Sequence, residues 1–126
     1  SLLQEVQPMP DRFRTFALVP ANTTKNTVFT VPNADVAATP PIPVTTFMAK
    51  TIILHNQSGS GQLDAELFYN DGSTDFQINN KQVAHQGTVI INGTFVFEGG
   101  DSLKIQSSSA NDLVIKVSVL EMKDQQ

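Results

Sequence analysis

Apolar and polar residues alternate with a period of two along most of this chain, and no other feature of the sequence constrains its fold as strongly. Residues 62–70 (QLDAELFYN), 101–107 (DSLKIQS) and 112–122 (DLVIKVSVLEM) all show the alternation. Because successive side chains of a β-strand point to opposite faces of a sheet, each segment has one apolar face and one polar face. The alternation therefore predicts strands that are buried on one side.

Other segments with the composition of strands complete the pattern. The additional predicted strands are 14–19, 27–32, 47–56, 75–80, 86–92 and 94–98. Segment 47–56 (FMAKTIILHN) is apolar on both faces around Ile52, Ile53 and Leu54. This pattern favours a central strand that is covered on both sides, and a partner chain could supply one of the two covers. No apolar pattern of helical period reaches two turns. About eight strands at regular spacing predict an all-β fold, an antiparallel β-sandwich with a jelly-roll-like arrangement.

Glycine, asparagine and aspartate mark the connections between these strands. Asn92-Gly93 predicts a two-residue hairpin, because a type I′ turn requires positive φ at both central residues. In YNDGSTDF (69–76), Gly72 predicts a second hairpin corner. In FEGGDSLK (97–104), the two glycines predict a tight turn, and Asp101 is expected to fix it by accepting backbone N–H hydrogen bonds.

Two segments do not fit the strand pattern. Residues 1–13 contain Pro8 and Pro10 and are expected to form an extended N-terminal arm, with the β-sandwich over residues 14–126. Residues 33–45 (NADVAATPPIPVT) hold three prolines within four residues and are expected to be extended, like polyproline II. This loop either lies against a neighbouring subunit or is a mobile surface loop.

Composition excludes several classes of function. A chain of 126 residues is a single domain. The net charge of −4 and the scattered basic residues argue against nucleic acid as a partner. There is no cysteine, which excludes disulfides and thiolate-bound zinc. No segment is apolar for long enough to span a membrane, and the first residues lack the pattern of a signal peptide.

Candidates for catalysis are few, and each has a structural explanation. His55 and His85 lack a serine nucleophile in a suitable motif, so surface or hydrogen-bonded histidines are expected. Asp71 and Asp75 resemble a calcium loop only faintly, and a hairpin tip explains them better. Glu98 and Asp101 would need a pocket and aromatic residues to hydrolyse a glycoside, in a chain with no tryptophan and a single tyrosine. We expect no catalytic, cofactor or metal site.

The sequence resembles a family of small β-rich structural proteins of tailed bacteriophages. The resemblance rests on FALVPANTTKNTVFTVP, KTIILHNQSGSGQLDAELFYNDGS and FVFEGGDSLKIQSSSANDLVIKVSVLEM, which together span most of residues 16–121. The last run is the most specific of the three. The resemblance implies a virion component, a capsid decoration protein or a small head or tail accessory, and it implies no catalytic residue. The proline-rich loop and the N-terminal arm depart from the family pattern.

These observations predict a non-enzymatic virion protein, a capsid decoration or cement protein that binds and stabilises the shell through its arm and its proline-rich loop. The expected partners are the major capsid protein or another virion protein and further copies of the chain, with a trimer favoured. The alternative is a tail or fibre accessory protein that binds a host glycan. The residues expected to contact the capsid or a neighbouring subunit are Leu2, Leu3, Val6, Phe13, Pro40, Pro41, Ile42, Pro43 and Val44.

Overall fold

The structure, a computed structural model, describes residues 11–124. The described residues form eight strands and no helix. In chain order the strands are β1 (Arg12–Leu18), β2 (Lys25–Thr30), β3 (Val44–Asn56), β4 (Leu63–Asn70), β5 (Asp75–Val83), β6 (Thr88–Phe97), β7 (Ser102–Ser107) and β8 (Leu113–Asp124). It follows that no helix in this part of the chain is long and apolar enough to cross a membrane.

The strands form two antiparallel four-stranded sheets. The first sheet, which we call sheet A, has the order β1-β8-β3-β6, and the second, sheet B, has the order β2-β7-β4-β5. Four of the pairs are nested in the chain, because β1 pairs with β8, β2 with β7, β3 with β6 and β4 with β5. The predicted antiparallel β-sandwich of eight strands is confirmed.

The core lies between the inner faces of the two sheets, where the alternating apolar residues meet. A cluster of phenylalanines joins the sheets, with ring centroids 5.4 Å apart for Phe29 and Phe47 and 5.0 Å apart for Phe29 and Phe97. Leu54, Leu67 and other aliphatic side chains fill the rest of the core and are fully buried. Burial of apolar surface at about 25 cal/mol per Å² makes this cluster the main source of stability.

The hairpin predicted at Asn92-Gly93 is wrong. Strand β6 runs through these residues from Thr88 to Phe97, and both halves of it pair with β3. At this point Lys50 of β3 lies opposite Gly93 and Thr94 of β6, which is a β-bulge. The inward alternation continues across the bulge, with Ile91 buried before it and Phe97 after it, so both halves of β6 pack against the core.

The beginning of β1 and the end of the proline-rich loop lie at the same end of the sandwich. Strands β1 and β3 begin there and β6 and β8 end there, as the pairing of Phe47 with both Phe97 and Glu121 shows. We call this the arm end. Strand β1 begins at Arg12, two residues earlier than predicted, so Arg12 and Phe13 belong to the sheet. Leu2, Leu3 and Val6 lie outside the described residues.

The proline-rich loop is closed on itself. Asp35 and Ile42 form an antiparallel bridge in which each N–H donates to the other's carbonyl oxygen at 2.9 Å. The Asp35 side chain also accepts a hydrogen bond from the N–H of Ala37, and the Thr39–Pro40 peptide bond is cis. A bridged turn therefore replaces the fully extended conformation that its proline content predicts.

Candidate interaction surface

The acidic pair Glu98 and Asp101 forms a turn at the arm end. One carboxylate oxygen of Asp101 accepts hydrogen bonds from the N–H of Glu98 at 2.8 Å and from the hydroxyl of Tyr69 at 2.9 Å. Gly100 adopts a φ of 89°, which favours glycine. Asp101 is buried and Glu98 is exposed. The expectation that Asp101 fixes this turn is confirmed.

The turn also alters the ionisation of the only tyrosine in the chain. The hydrogen bond to Asp101 raises the pKa of Tyr69, and burial and the negative charge of Asp101 raise it further. Since the phenol donates to a carboxylate, loss of its proton would break the hydrogen bond and place two negative charges side by side.

Among the other candidates for chemistry, His55 and Asp71 make structural hydrogen bonds. His55 hydrogen-bonds through Nδ1 to the hydroxyl of Thr88 at 2.9 Å, while His85 is exposed in the loop between β5 and β6. Asp71 accepts hydrogen bonds from the N–H groups of residues 74 and 73, which lower its pKa. The predicted hairpin corner at Gly72 is confirmed, since it joins β4 to β5. Within residues 11–124, no three His, Asp or Glu side chains converge as metal ligands.

Asp75 closes the same hairpin through side-chain contacts. It accepts a hydrogen bond from Asn70 at 2.7 Å and pairs with Lys25 at 3.1 Å and Lys104 at 3.3 Å. The hydrogen bond from Asn70, followed by those from the lysines, lowers the pKa of Asp75 to about 2. The carboxylate therefore ties β5 to β2 and β7, and its neighbours are cationic side chains of the protein.

An apolar row crosses the outer face of sheet A near the arm end. Phe13 of β1 is paired with Leu120 of β8, Leu120 with Met48 of β3, and Met48 with Val96 of β6. Phe13 is 81% exposed and Val96 is 47% exposed, while Met48 and Leu120 are half-buried. Four strands at about 4.8 Å spacing make this row about 14 Å wide.

The proline-rich loop adds apolar side chains at the same end. It leads directly into β3, whose first residue Val44 is exposed, as is Ile42 before it. Val36 is 72% exposed. Pro40 and Pro41 are exposed and Pro43 is half-buried. The fold thus brings the described part of the predicted partner contacts to one end of the molecule, where Phe13 also lies.

A buried acidic residue holds the beginning of β1 in place beside this surface. The Glu121 carboxylate lies between the sheets and accepts hydrogen bonds from Arg12 at 2.7 Å and Arg14 at 2.9 Å. Burial raises the pKa of Glu121, but the two arginine hydrogen bonds and the charge of Lys123 outweigh it and the pKa lies below its ordinary value. Arg14 also lies over the ring of Phe16, 4.8 Å from its centroid. These contacts hold Arg12 and Arg14, at the beginning of β1, against β8.

A groove opens on the flank of the sandwich, between β5 at the edge of sheet B and β6 at the edge of sheet A. Its volume is about 250 Å³, and it is lined by Tyr69, Ile78, Phe95, Val96 and Phe97. We call it the flank groove. Phe76, which stacks on Tyr69 with centroids 6.2 Å apart, is 49% exposed. The only polar group on these side chains, the Tyr69 hydroxyl, already donates to Asp101.

Sequence reasoning missed the apolar row and the flank groove. Met48, Leu120 and Val96 are spread over three distant strands, and only the register of sheet A places them beside Phe13. One signal was available, because segment 47–56 is apolar on both of its faces. In the structure its inner residues are buried, and Met48 and Ile53 face outwards and are half-buried.

Comparison with protein-family models and with curated proteins finds no match to this sequence. Solved structures with a similar fold do exist. One is a chain of the disulfide-linked pili that form Bacillus endospore appendages, at 15% identity, a TM-score of 0.51 and coverage of 99% of this chain and 97% of that one. Another is from the acid-stable capsid of Helicobacter pylori bacteriophage KHP30, at 8% identity, a TM-score of 0.52 and coverage of 92% and 90%.

A pentameric capsid protein from metagenomic phage sequences is similar to a lower degree. Its identity is 15% and its TM-score 0.43, and the similarity covers 88% of this chain and 61% of that one. At these identities the similarity to the pilus chain and the KHP30 capsid chain shows a shared fold, and no specific family is shown.

Proposed function

We propose that this chain is a non-enzymatic structural subunit of a bacteriophage virion, a capsid decoration protein that attaches at its arm end. The observation that carries the proposal is the apolar row, in which Phe13 lies 81% exposed beside Leu120, Met48 and Val96. Exposed apolar residues in a contiguous patch mark protein interaction sites. The proline-rich loop, with Val36, Ile42 and Val44, extends this patch at the same end.

The strand order supports a role in a virion. Nested pairing of β1 with β8 through β4 with β5 is the pairing of a jelly roll, in which one long hairpin wraps around a core. Jelly rolls recur in viral capsids and in lectins. Two structural neighbours with TM-scores above 0.5 belong to a phage capsid and to pili, which are both assemblies of many subunits.

We propose that the chain works as an oligomer, and a trimer fits a symmetric shell. Each contact of a decoration protein can be weak, because many copies bound to one shell act together. The pilus neighbour is disulfide-linked, whereas this chain has no cysteine. Disulfides therefore cannot link its subunits, and we propose that apolar and backbone contacts do so, which high salt should not dissociate.

Particle composition tests this proposal. Phage particles purified from cells that express the chain should contain it at a fixed ratio to the major capsid protein. Phe13→Asp should lower that ratio, because it places a charge in the apolar row. Ala17→Asp is the matched control, since Ala17 is exposed on the same face of β1, farther from the arm end. Absence of the chain from particles, or equal loss with both variants, would contradict the proposal.

The alternative, a tail or fibre protein that binds a host glycan, has one feature in its favour. Phe76 is an exposed aromatic ring beside the flank groove, and aromatic rings stack on sugars. The groove lining is otherwise aliphatic or phenylalanine, and its single hydroxyl is engaged by Asp101. A sugar needs several polar partners for its hydroxyls, so the groove suits an apolar side chain better. Saturable binding to host polysaccharide that Phe76→Ala abolishes would favour this alternative.

A further inference from the structure

Both strands that border the flank groove are edge strands with a free hydrogen-bonding side. Among the described residues, β6 pairs only with β3 and β5 pairs only with β4. An edge strand presents unpaired N–H and C=O groups and is a template for pairing with another strand. Peptides recognised in this way add a strand to the edge and place alternate side chains into pockets. The flank groove lies where such pockets would be needed.

Each of the two edge strands also carries a β-bulge near the groove. In β5, Leu67 pairs with Asn79 and Phe68 with Gln77, so Ile78 is the extra residue. In β6, the bulge at Gly93 and Thr94 directly precedes Phe95. Bulges redirect side chains and are frequent at functional edges. Ile78 and Phe95 both line the groove, so the bulges shape it.

The N-terminal residues have the pattern of a strand that fits this edge. In residues 1–7 (SLLQEVQ), Leu2 and Val6 would share one face of an extended strand, and Leu3 would lie on the other. Pro8 and Pro10 lack an N–H and would end the pairing. With Leu2 and Val6 facing the groove, Leu3 would extend the apolar row beyond Val96.

The position of β1 indicates which molecule supplies the strand. Strand β1 lies at the opposite edge of sheet A from β6, about 14 Å away across β8 and β3. To reach its own groove, the chain before Arg12 would have to reverse direction and cross the sheet. A neighbouring copy whose β6 edge lies beyond the start of this β1 can take up the chain before Arg12 without that crossing, and its β6 edge remains free for the added strand.

We propose that residues 1–7 of one copy dock as an added strand on the β6 edge of a second copy, with Leu2 or Val6 in the flank groove. This docking rests on the proposed function, in which the chain works as an oligomer, and it identifies the contact between the subunits of that oligomer. Such a contact is head-to-tail, because the surface that donates differs from the one that accepts. It closes into a ring or grows into a filament, depending on the angle between subunits.

Because the chain has no cysteine, single introduced cysteines test the contact directly. One preparation carries Val6→Cys and the other Ile78→Cys, and the two are mixed and treated with a short bis-maleimide. We expect this mixture to form a covalent dimer. Its yield should be at least about tenfold above that of a control mixture of Val6→Cys and Ile90→Cys, because docking raises the effective concentration of the arm to about the millimolar range. Ile90 lies on the outer face of β6 and is 58% exposed.

A second pair of variants tests the groove itself. Val96→Glu, introduced with Ile78→Cys, should lower the dimer yield to that of the control mixture, while Ile90→Glu should leave it unchanged. A dimer yield no higher than in the control mixture would overturn the proposal, as would equal loss with both glutamates. A link formed only within single chains of a Val6→Cys/Ile78→Cys double variant would overturn it too.

These results are separable from those for the virion role. If the chain is present in particles and oligomeric but forms no specific link, the docking proposal fails and the proposed function stands. If the link forms in a chain that is absent from particles, the docking stands and the virion role fails.

Discussion

Replacing Asp101 should destabilise the protein through two hydrogen bonds that meet on one oxygen atom. In Asp101→Ala, the N–H of Glu98 and the hydroxyl of Tyr69 lose their acceptor. A hydrogen bond to a charged group contributes about 1.5–3 kcal/mol. Glu98 is exposed and Tyr69 is half-buried, so water can replace part of each contact, and the lower end of the range applies. The expected loss is therefore about 3 kcal/mol in the free energy of unfolding.

That loss corresponds to a measurable change in the melting temperature. An unfolding entropy of about 2.1 cal/mol/K per residue gives about 265 cal/mol/K for 126 residues, so the melting temperature should fall by about 11 °C. Chemical denaturation should give the same free energy with an unchanged m-value. Tyr69→Phe removes one of the two hydrogen bonds and should lower the free energy of unfolding by about 1.5 kcal/mol. The effects of the two substitutions should not add, because both remove the same contact.

The single tyrosine also provides an optical test of the same contact. Absorbance titration of the phenol should give a pKa above the ordinary value in the native protein and a lower one in Asp101→Asn, where the carboxylate charge is absent. Since the folded-state pKa is the higher one, the stabilisation is fully present below about pH 10 and is lost as the pH rises through the folded-state value. A loss below about 0.5 kcal/mol in Asp101→Ala, or an unchanged phenol titration in Asp101→Asn, would refute this account of the turn.

Three further substitutions test other parts of the structure. Glu121→Gln should lower the free energy of unfolding by about 1–2 kcal/mol at neutral pH. Because the folded-state pKa of Glu121 is lowered, its contribution to stability is present above the ordinary glutamate pKa and is lost as the pH falls through the folded-state value. In the variant, the acid limb of a stability–pH profile should therefore flatten. Gly100→Ala should lower the free energy of unfolding by about 1–2 kcal/mol, because φ at this position is 89° and an added Cβ would lie 3.0 Å from the Asn33 side chain. Gly59→Ala is the control: nothing lies within 4 Å of its added Cβ, so it should be near neutral in the same thermal melt. Asn56→Ala should cost about 2–4 kcal/mol in denaturant titration, because this fully buried amide donates to two backbone carbonyls and accepts a backbone N–H.

Much of the fold could be predicted because its cause is local. The alternation in 112–122 and 62–70 indicates directly which side chains face the core. In the structure most of the buried residues of β8 and β4 lie at the apolar positions of that alternation. The turns at Gly72 and at Gly100 were predictable for the same reason, since a positive φ and an aspartate acceptor are properties of a few consecutive residues. The failure at Asn92-Gly93 shows the limit of such local signals. A dipeptide that suits a hairpin also suits a bulge, and pairing with β3, some forty residues away in the chain, decided between them.

The interaction surface required the tertiary structure, because it is built from register. The sequence singles out Phe13 but not Met48, Val96 or Leu120, and only the order and register of the strands align these three with Phe13 in one row. The flank groove depends on the approach of two strand edges that belong to different sheets. The sequence decided which residues turn inwards and that the proline-rich segment lies between strands. Only the folded chain decided at which end of the sandwich that segment lies and which surfaces are beside it, since such distances arise from pairing between residues far apart in the chain.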